Sequence, residues 1–383
     1  EILRLAAKRL QQCLRSGDFA AHLGQDSFAI VATDLSDANA VAVIAQRLQA
    51  SLSRPYAVGN GTRRIGCRIG VAVLSDDRPE RLLANAEIAL SQTRQGAPGI
   101  RYFNEQMRAE VEERAMLCAE IIQGIDQGAF VPHFQPQLKL ANGEFLGFEA
   151  LARWNHPERG VLSPRDFLEV AEQADLIEAL GEAILIGVLD AITRWDAAGL
   201  HVPCVGVNFA LAQLHAPGLI ERIKWEVDRR DIDPCRLSIE VLETVLIKSD
   251  ADLVVRNLRG LAAAGFRIDL DDFGTGHASI SNLRRFMATR IKIDRSFVRN
   301  VDTSDEQHKV VASIIAMARA LDIRTLAEGV ETAGEEAALR AIGCDEVQGY
   351  RIARPMDEAA ASAWLRARGE PSAAEPKGGL ISP

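Results

Sequence analysis

The chain of 383 residues has no C-x-x-C pair: its six cysteines, Cys13, Cys67, Cys118, Cys204, Cys235 and Cys344, are scattered singly. That spacing argues against a zinc framework or a disulfide scaffold and reads as reduced thiols in a cytoplasmic protein. A basic surplus is missing too, since 44 Lys and Arg face 53 Asp and Glu, for a formal charge of −9. A surface that neutralises polymeric nucleic acid is thereby excluded, while a local cationic pocket for one phosphodiester is not. Nor is there an uninterrupted apolar span. The most apolar long segment, "LIEALGEAILIGVLDAI", is broken by Glu178, Glu182 and Asp190 and reads as a buried amphipathic helix. No signal peptide is seen, and the sequence starts at Glu1. A membrane anchor is expected only in a region preceding it.

What the chain does have is 48% hydrophobic and 25% charged residues, enough for two globular domains. Residues 1–103 mix helical patterns with strand-like runs such as "DSFAIVAT" and predict a small α+β unit. A charged helical stretch over 104–127 reads as a connector. From 128 to 368 the pattern becomes a regular alternation, with strand candidates "FVPHFQPQL", "EFLGFEALARW", "PCVGVNFA", "RLSIEVLE", "FRIDLDDF", "ATRIKIDRSF", "RTLAEGV" and "DEVQGY". Eight strands alternating with helices predict a (β/α)8 barrel. Only the turn-like "ANGE" separates the first two, so an antiparallel hairpin is expected there. The last residues, 369–383, are rich in Pro, Gly, Ser and Ala and read as a disordered tail.

Active sites of such barrels lie at the C-terminal ends of the strands. Those ends carry Glu149, Asn208, Glu240, Asp271 with Asp272, Lys292, Glu328 and Gln348. Each alone has an ordinary structural explanation; together they bring five carboxylates, two amides and one ammonium to one rim. Carboxylates so gathered repel unless cations lie between them. Oxygen ligands suit Mg2+ or Mn2+, and none of the seven histidines falls at one of these candidate ends to favour zinc. A carboxylate shared by two hard cations is the pattern of two-metal hydrolysis, with Asp271 bridging and Asp272 on one ion. The "DFG" at 272–274 has no accompanying Gly-rich loop or H-R-D loop, which excludes a kinase.

The ordered motifs "EALARW", "VNFA", "SIEVLE", "DDFGTG", "KIDRSFV", "AEGVE" and "QGY" resemble those of the EAL-domain cyclic di-GMP phosphodiesterases over residues 110–365. The first 103 residues resemble the later part of a GGDEF (diguanylate cyclase) domain, with the signature at "HLGQDSFAI". The EAL resemblance implies hydrolysis of cyclic di-GMP to linear pGpG by a likeness that extends to single residues. It implies Glu149, Asn208, Glu240 and Asp271 as ligands of one metal, and Asp271, Asp272 and Glu328 as ligands of the second. It implies Lys292 holding the attacking water, Arg153 on a substrate phosphate, and Gln135, Leu151 and Gln348 lining the nucleotide pocket. Glu331 and Asp294 fall behind the ligands, and Glu243 anchors the loop after the Asp pair and links it to a dimer interface. A homodimer is expected on the same ground.

The chain also departs from the family pattern. Leu242 stands where Thr is usual, and His277 and Ala278 replace Tyr and Ser, which puts loop coupling in doubt but leaves the inferred ligands in place. Asp269 occupies a position usually held by a small residue. By period two it shares a face with Asp271 and reads as a satisfied structural carboxylate, with a pKa effect on a neighbour left open. In the N-terminal unit "GQDSF" replaces Gly-Gly-Asp-Glu-Phe, so cyclase activity is not expected. The turn "RSGD" matches the R-x-x-D product site, which leaves Arg15 and Asp18 either as a regulatory site for cyclic di-GMP or as plain surface, with GTP another regulatory input. The sequence thus predicts an active phosphodiesterase carrying a degenerate cyclase-like regulatory unit. A silent cyclic di-GMP receptor is the rival reading, and a docking scaffold a weaker third.

Overall fold

Between Ile2 and Cys13 apolar residues recur at helical spacing, and the segment is a helix that buries Ala6 and Leu10. Strands β1 (Phe19–Gly24) and β2 (Ser27–Val31) follow as an antiparallel hairpin, then a helix over Ala38–Leu52. β3 (Tyr56–Val58) and β4 (Gly61–Arg63) form a second hairpin. β5 (Arg68–Val71) runs parallel to β6 (Gly99–Tyr102), with the helix Leu82–Ser91 between them in sequence. A Cβ at Gly70 would lie 2.0 Å from the Ala86 carbonyl, so glycine is what lets that helix rest on β5. Leu10, Ile44 and Leu48 form the core, with Phe28, Ile30 and Ile69 packed against it.

The computed structural model describes residues 1–35, 38–59, 61–74, 79–93, 99–243, 252–274 and 286–369. The chain divides into two units, Glu1–Leu117 and Cys118–Pro383. The division falls within the helix Glu105–Asp126, the stretch read as a connector. His277, Ala278 and the tail after Gly369 lie outside the described residues.

The second unit is the expected barrel. Its strands are β7 (Phe130–Lys139), β8 (Phe145–His156), β10 (Val205–Asn208), β11 (Leu237–Leu242), β12 (Arg267–Phe273), β13 (Arg290–Ile293), β14 (Arg324–Ala327) and β15 (Glu346–Gln348), with the short β9 (Gly160–Leu162) added beside the end of β8. From β10 to β15 each strand pairs in parallel with the next, and β8 closes the ring on β10. β7 alone is antiparallel to both its neighbours, β8 and β15, as the short "ANGE" link predicts. Helix Ile177–Ala197, the most apolar long segment of the sequence, buries Ile184, Leu185, Val188, Leu189, Ile192 and Trp195. Trp195 meets Phe134 edge-on with ring centroids 4.8 Å apart, which fastens that helix to the hairpin. Among the described residues no helix is long and apolar enough to cross a membrane.

Candidate active site and metal centre

Alternation along a regular strand would send Asp271 and Asp272 to opposite faces of the sheet. The structure breaks that rule locally. Asp272 takes a φ of +51°, and the β12–β13 register shifts between Leu270 and Phe273. This bulge re-aims the chain at the strand end, so that both carboxyl groups reach the barrel mouth. Oxygens of Glu149, Asp271 and Glu328 lie within 4.8 Å of one another, and so do those of Asp272, Asp294 and Glu328. Glu328 belongs to both groups and joins them.

Lys292, fully buried on β13, stands at the centre. Its Nζ lies 2.7 Å from Glu240 Oε2, 2.8 Å from Glu328 Oε1, and 3.1 Å from both Glu149 Oε1 and Asp271 Oδ1. One ammonium thus faces four carboxyl groups carried by β8, β11, β12 and the residue after β14. Asn208 Nδ2 donates to Glu149 Oε1 at 3.0 Å. Gly206, two residues earlier on β10, has a packing role: a Cβ there would lie 2.1 Å from Glu240 Oε1. Only glycine leaves room for that carboxylate.

Crowding dominates the electrostatics. Burial pushes the Glu240 and Glu328 carboxyl groups well above their ordinary range, and the neighbouring carboxylates add to it against the pull of Lys292. Asp271 is raised by burial and by Glu149, again opposed by Lys292. Burial, then Asp271 and Asp294, push Asp272 up to about 6. Glu149 goes the other way: burial works to raise it, but Lys292 and the hydrogen bonds from Gln348 and Asn208 outweigh that and hold it below its usual value. The same anions keep the Lys292 ammonium charged despite burial.

These residues fit hard divalent cations. The donors are all oxygen, their charge exceeds what Lys292 can balance, and the buried Glu240 Oε1 has no hydrogen-bond partner. That oxygen lies 3.7 Å from the Arg290 guanidinium, an ion pair too long for a hydrogen bond, and so keeps acceptor capacity for a cation.

The remaining sequence-derived residues are placed as follows. Gln135 and Gln348 are buried and bonded to each other, and Gln348 also donates to Glu149 Oε2. Leu151 and Arg153 follow Glu149 on β8 at spacing two and share its face. Arg153 donates to the Ala152 carbonyl at 2.7 Å. The Glu243 carboxylate accepts from the Gly274 amide at 2.8 Å, which ties the first residue after β12 to the end of β11. Asp294 Oδ1 accepts from the Ser296 amide at 3.0 Å while its carboxyl group joins the Asp272 cluster. Glu331 is exposed, and the buried carboxylate of that segment is Glu335, which accepts from the amides of Asn300, Glu331 and Thr332. In the N-terminal unit, Asp18 accepts from the Arg15 amide at 2.7 Å and from the Thr33 amide at 3.4 Å, closing the turn. Gln25 sits at the β1–β2 turn with φ +47°.

Of the deeper layer the sequence reading reaches Asp269 as a structural carboxylate, but not its partners. Arg290, two residues before Lys292, donates to Asp269 Oδ2 at 2.6 Å, to Glu346 Oε2 at 2.7 Å and to Gln137 Oε1 at 2.8 Å. Ser238 also donates to Asp269. Asp269 is therefore a satisfied structural carboxylate. The signal was available: Asp269 and Asp271, Arg290 and Lys292, Gln135 and Gln137 are each spaced by two on inward-facing strands.

Comparison with known proteins agrees with this geometry. The family model for the EAL domain matches residues 119–355, and that for the diguanylate cyclase, GGDEF domain, matches residues 1–97. An "Uncharacterized signaling protein" of Caulobacter vibrioides is 39% identical over 376 residues, 97% of this chain and 46% of its own length. The "Bifunctional diguanylate cyclase/cyclic di-GMP phosphodiesterase MucR" of Pseudomonas aeruginosa is 33% identical over 354 residues, 91% of this chain and 51% of its own. The chain spans about half the length of these curated relatives. The solved structure "PaMucR Phosphodiesterase, c-di-GMP complex" superimposes with a TM-score of 0.61 at 33% identity, covering 64% of this chain and 99% of that one. By its matched domain and its barrel, the chain belongs to the EAL domain family.

Proposed function

We propose that the chain is a cyclic di-GMP phosphodiesterase that opens one phosphodiester bond to give linear pGpG. The single observation that carries this reading is the convergence of Glu149, Glu240, Asp271 and Glu328 on Lys292 at the mouth of a barrel whose family includes a solved cyclic di-GMP complex. Glu149, Asn208, Glu240 and Asp271 would hold one ion, and Asp271, Asp272 and Glu328 a second. Two such ions, Mg2+ or Mn2+, supply an activated water and a clamp on the leaving oxygen.

The chain's own residues do the rest. Lys292 is held charged by its anionic neighbours, so it can orient the attacking water and offset charge that builds on the phosphoryl oxygens. Arg153, on the Glu149 face of β8, presents a guanidinium for a substrate phosphate. Gln135, Leu151 and Gln348 form the adjoining wall of the nucleotide pocket. Asp294 stands beside Asp272 and Glu328, and Glu243 holds the start of the loop after β12. The N-terminal unit, residues 1–103, acts as a regulatory module without cyclase chemistry, a reading supported by Gln25 and Ser27 in place of the signature's Gly and Glu.

The test is anion-exchange analysis of cyclic di-GMP incubated with purified chain and Mg2+ or Mn2+. Formation of pGpG that is lost in Glu149→Ala supports the proposal; tight binding without turnover contradicts it and favours a receptor.

A further inference from the structure

Beneath the proposed metal ligands runs a chain of buried amides whose direction is fixed from both ends. Arg290 can only donate, so Gln137 must turn Oε1 toward it, and does at 2.8 Å. That leaves Gln137 Nε2 to donate to Gln348 Oε1, at 2.8 Å. At the other end the Ala353 carbonyl can only accept. Gln135 therefore gives it Nε2, at 3.0 Å, and turns Oε1 toward Gln348 Nε2, also at 3.0 Å. Gln348 is clamped on both sides, a donor on its oxygen and an acceptor on its nitrogen. Its remaining N–H points at Glu149 Oε2. All three glutamines are buried, as are Arg290 and Glu149, so water does not compete for these bonds.

Orientation of a carboxamide is ordinarily ambiguous, because its oxygen and nitrogen are nearly the same shape. Here a reversed Gln348 would set its oxygen against the Glu149 carboxylate and Gln135 Oε1 and its NH2 against the Gln137 NH2, three mismatches at once. We propose that Arg290 and Gln137 are positioning residues that, with Gln135, hold Gln348 as an obligate donor to Glu149 Oε2, so that Glu149 keeps Oε1 turned to Lys292. The proposal rests on the reading of Glu149 as a metal ligand for its consequence, but not for its geometry. Asp269 and Glu346 matter indirectly: Asp269 accepts from Nε and Nη2, Glu346 accepts from Nη1 beside Gln137, and together they fix which way the guanidinium faces.

The experiment uses the whole chain and two readouts. In the metal-free protein, the side-chain amide resonance of Gln348, identified by its loss in Gln348→Leu, is expected to move and lose exchange protection in Gln137→Met. Titration with Mn2+ alone is expected to show affinity reduced about tenfold in Gln348→Leu, as for other residues that orient a ligand. Gln137→Met is expected to reduce it several-fold, yet to add nothing in the Gln348→Leu background. Thermal melts identify any variant that has lost its fold, and Gln135→Met, which releases the opposite clamp without touching Arg290, serves if Gln137→Met has. An unmoved Gln348 resonance overturns the proposal, and so does a Gln137→Met penalty that persists in the Gln348→Leu background. Failure of the wild-type chain to bind Mn2+ would instead sink the metal reading, leaving the resonance shift to decide the amide chain.

Discussion

Asp271 and Asp272 are adjacent in the chain, yet both present carboxylate oxygens within 4.8 Å of oxygens of Glu328. The cause is the φ of +51° at Asp272, which turns one residue out of the strand's alternation. Asp, like Asn, tolerates this left-handed conformation better than most side chains. A pair of neighbouring acids is thus made to serve one site instead of two faces.

The substitution Asp272→Asn separates that backbone role from the charge. Asn accepts the same φ, so the fold is expected to persist, with the metal-free thermal midpoint unchanged or higher. Turnover of cyclic di-GMP should fall by about 100-fold or more, the upper end of what metal-site changes cost. Steady-state kinetics with a parallel melt checks both halves.

The raised Asp272 pKa sets a pH dependence. Its carboxyl group is pushed from 3.8 to about 6, so the folded state favours the protonated form. The stability this gives is fully present below the unfolded value of 3.8 and is lost as pH rises through about 6. Metal-free protein is therefore expected to melt at a lower temperature at about pH 7 than at about pH 5. Mg2+ or Mn2+ should recover the loss at the higher pH, since both take the ionised carboxylate. Differential scanning fluorimetry across that range, with and without chelator, reads the effect directly.

Removing the central cation should cost more than removing any one acid. Lys292→Met leaves four carboxyl groups, three of them buried, without their ammonium, a change of the kind that destabilises by about 3–5 kcal/mol. Excess Mn2+ is expected to return much of that stability while turnover stays lost. Denaturant unfolding with and without Mn2+ provides the comparison.

Gly206→Ala tests the space kept for Glu240. A Cβ 2.1 Å from Glu240 Oε1 must displace that side chain, at a cost of about 1–3 kcal/mol by analogy with overpacked cores. Weaker Mn2+ binding should accompany it, which calorimetric titration would measure.

The barrel was legible because its strands are short apolar runs punctuated by helices, and because a missing helix between β7 and β8 leaves only a hairpin. The rim acids were legible as residues at strand ends. The bulge at Asp272 was not, since a positive φ at an aspartate leaves no mark in a pattern of two. Nor was the ion pair of Asp269 with Arg290: each was visible as an inward position, but their partnership depends on β12 and β13 being neighbours in register, Asp269 opposite Arg290. The direction of the glutamine chain lies further still from sequence, since it follows from which groups can only donate and which can only accept.

The most direct measurement is anomalous diffraction from crystals soaked in Mn2+ with cyclic di-GMP. Two peaks are expected, one among Glu149, Asn208, Glu240 and Asp271, the other among Asp271, Asp272 and Glu328, with Asp271 shared. A single peak elsewhere, or carboxylates still closed on Lys292 with no manganese between them, would contradict it.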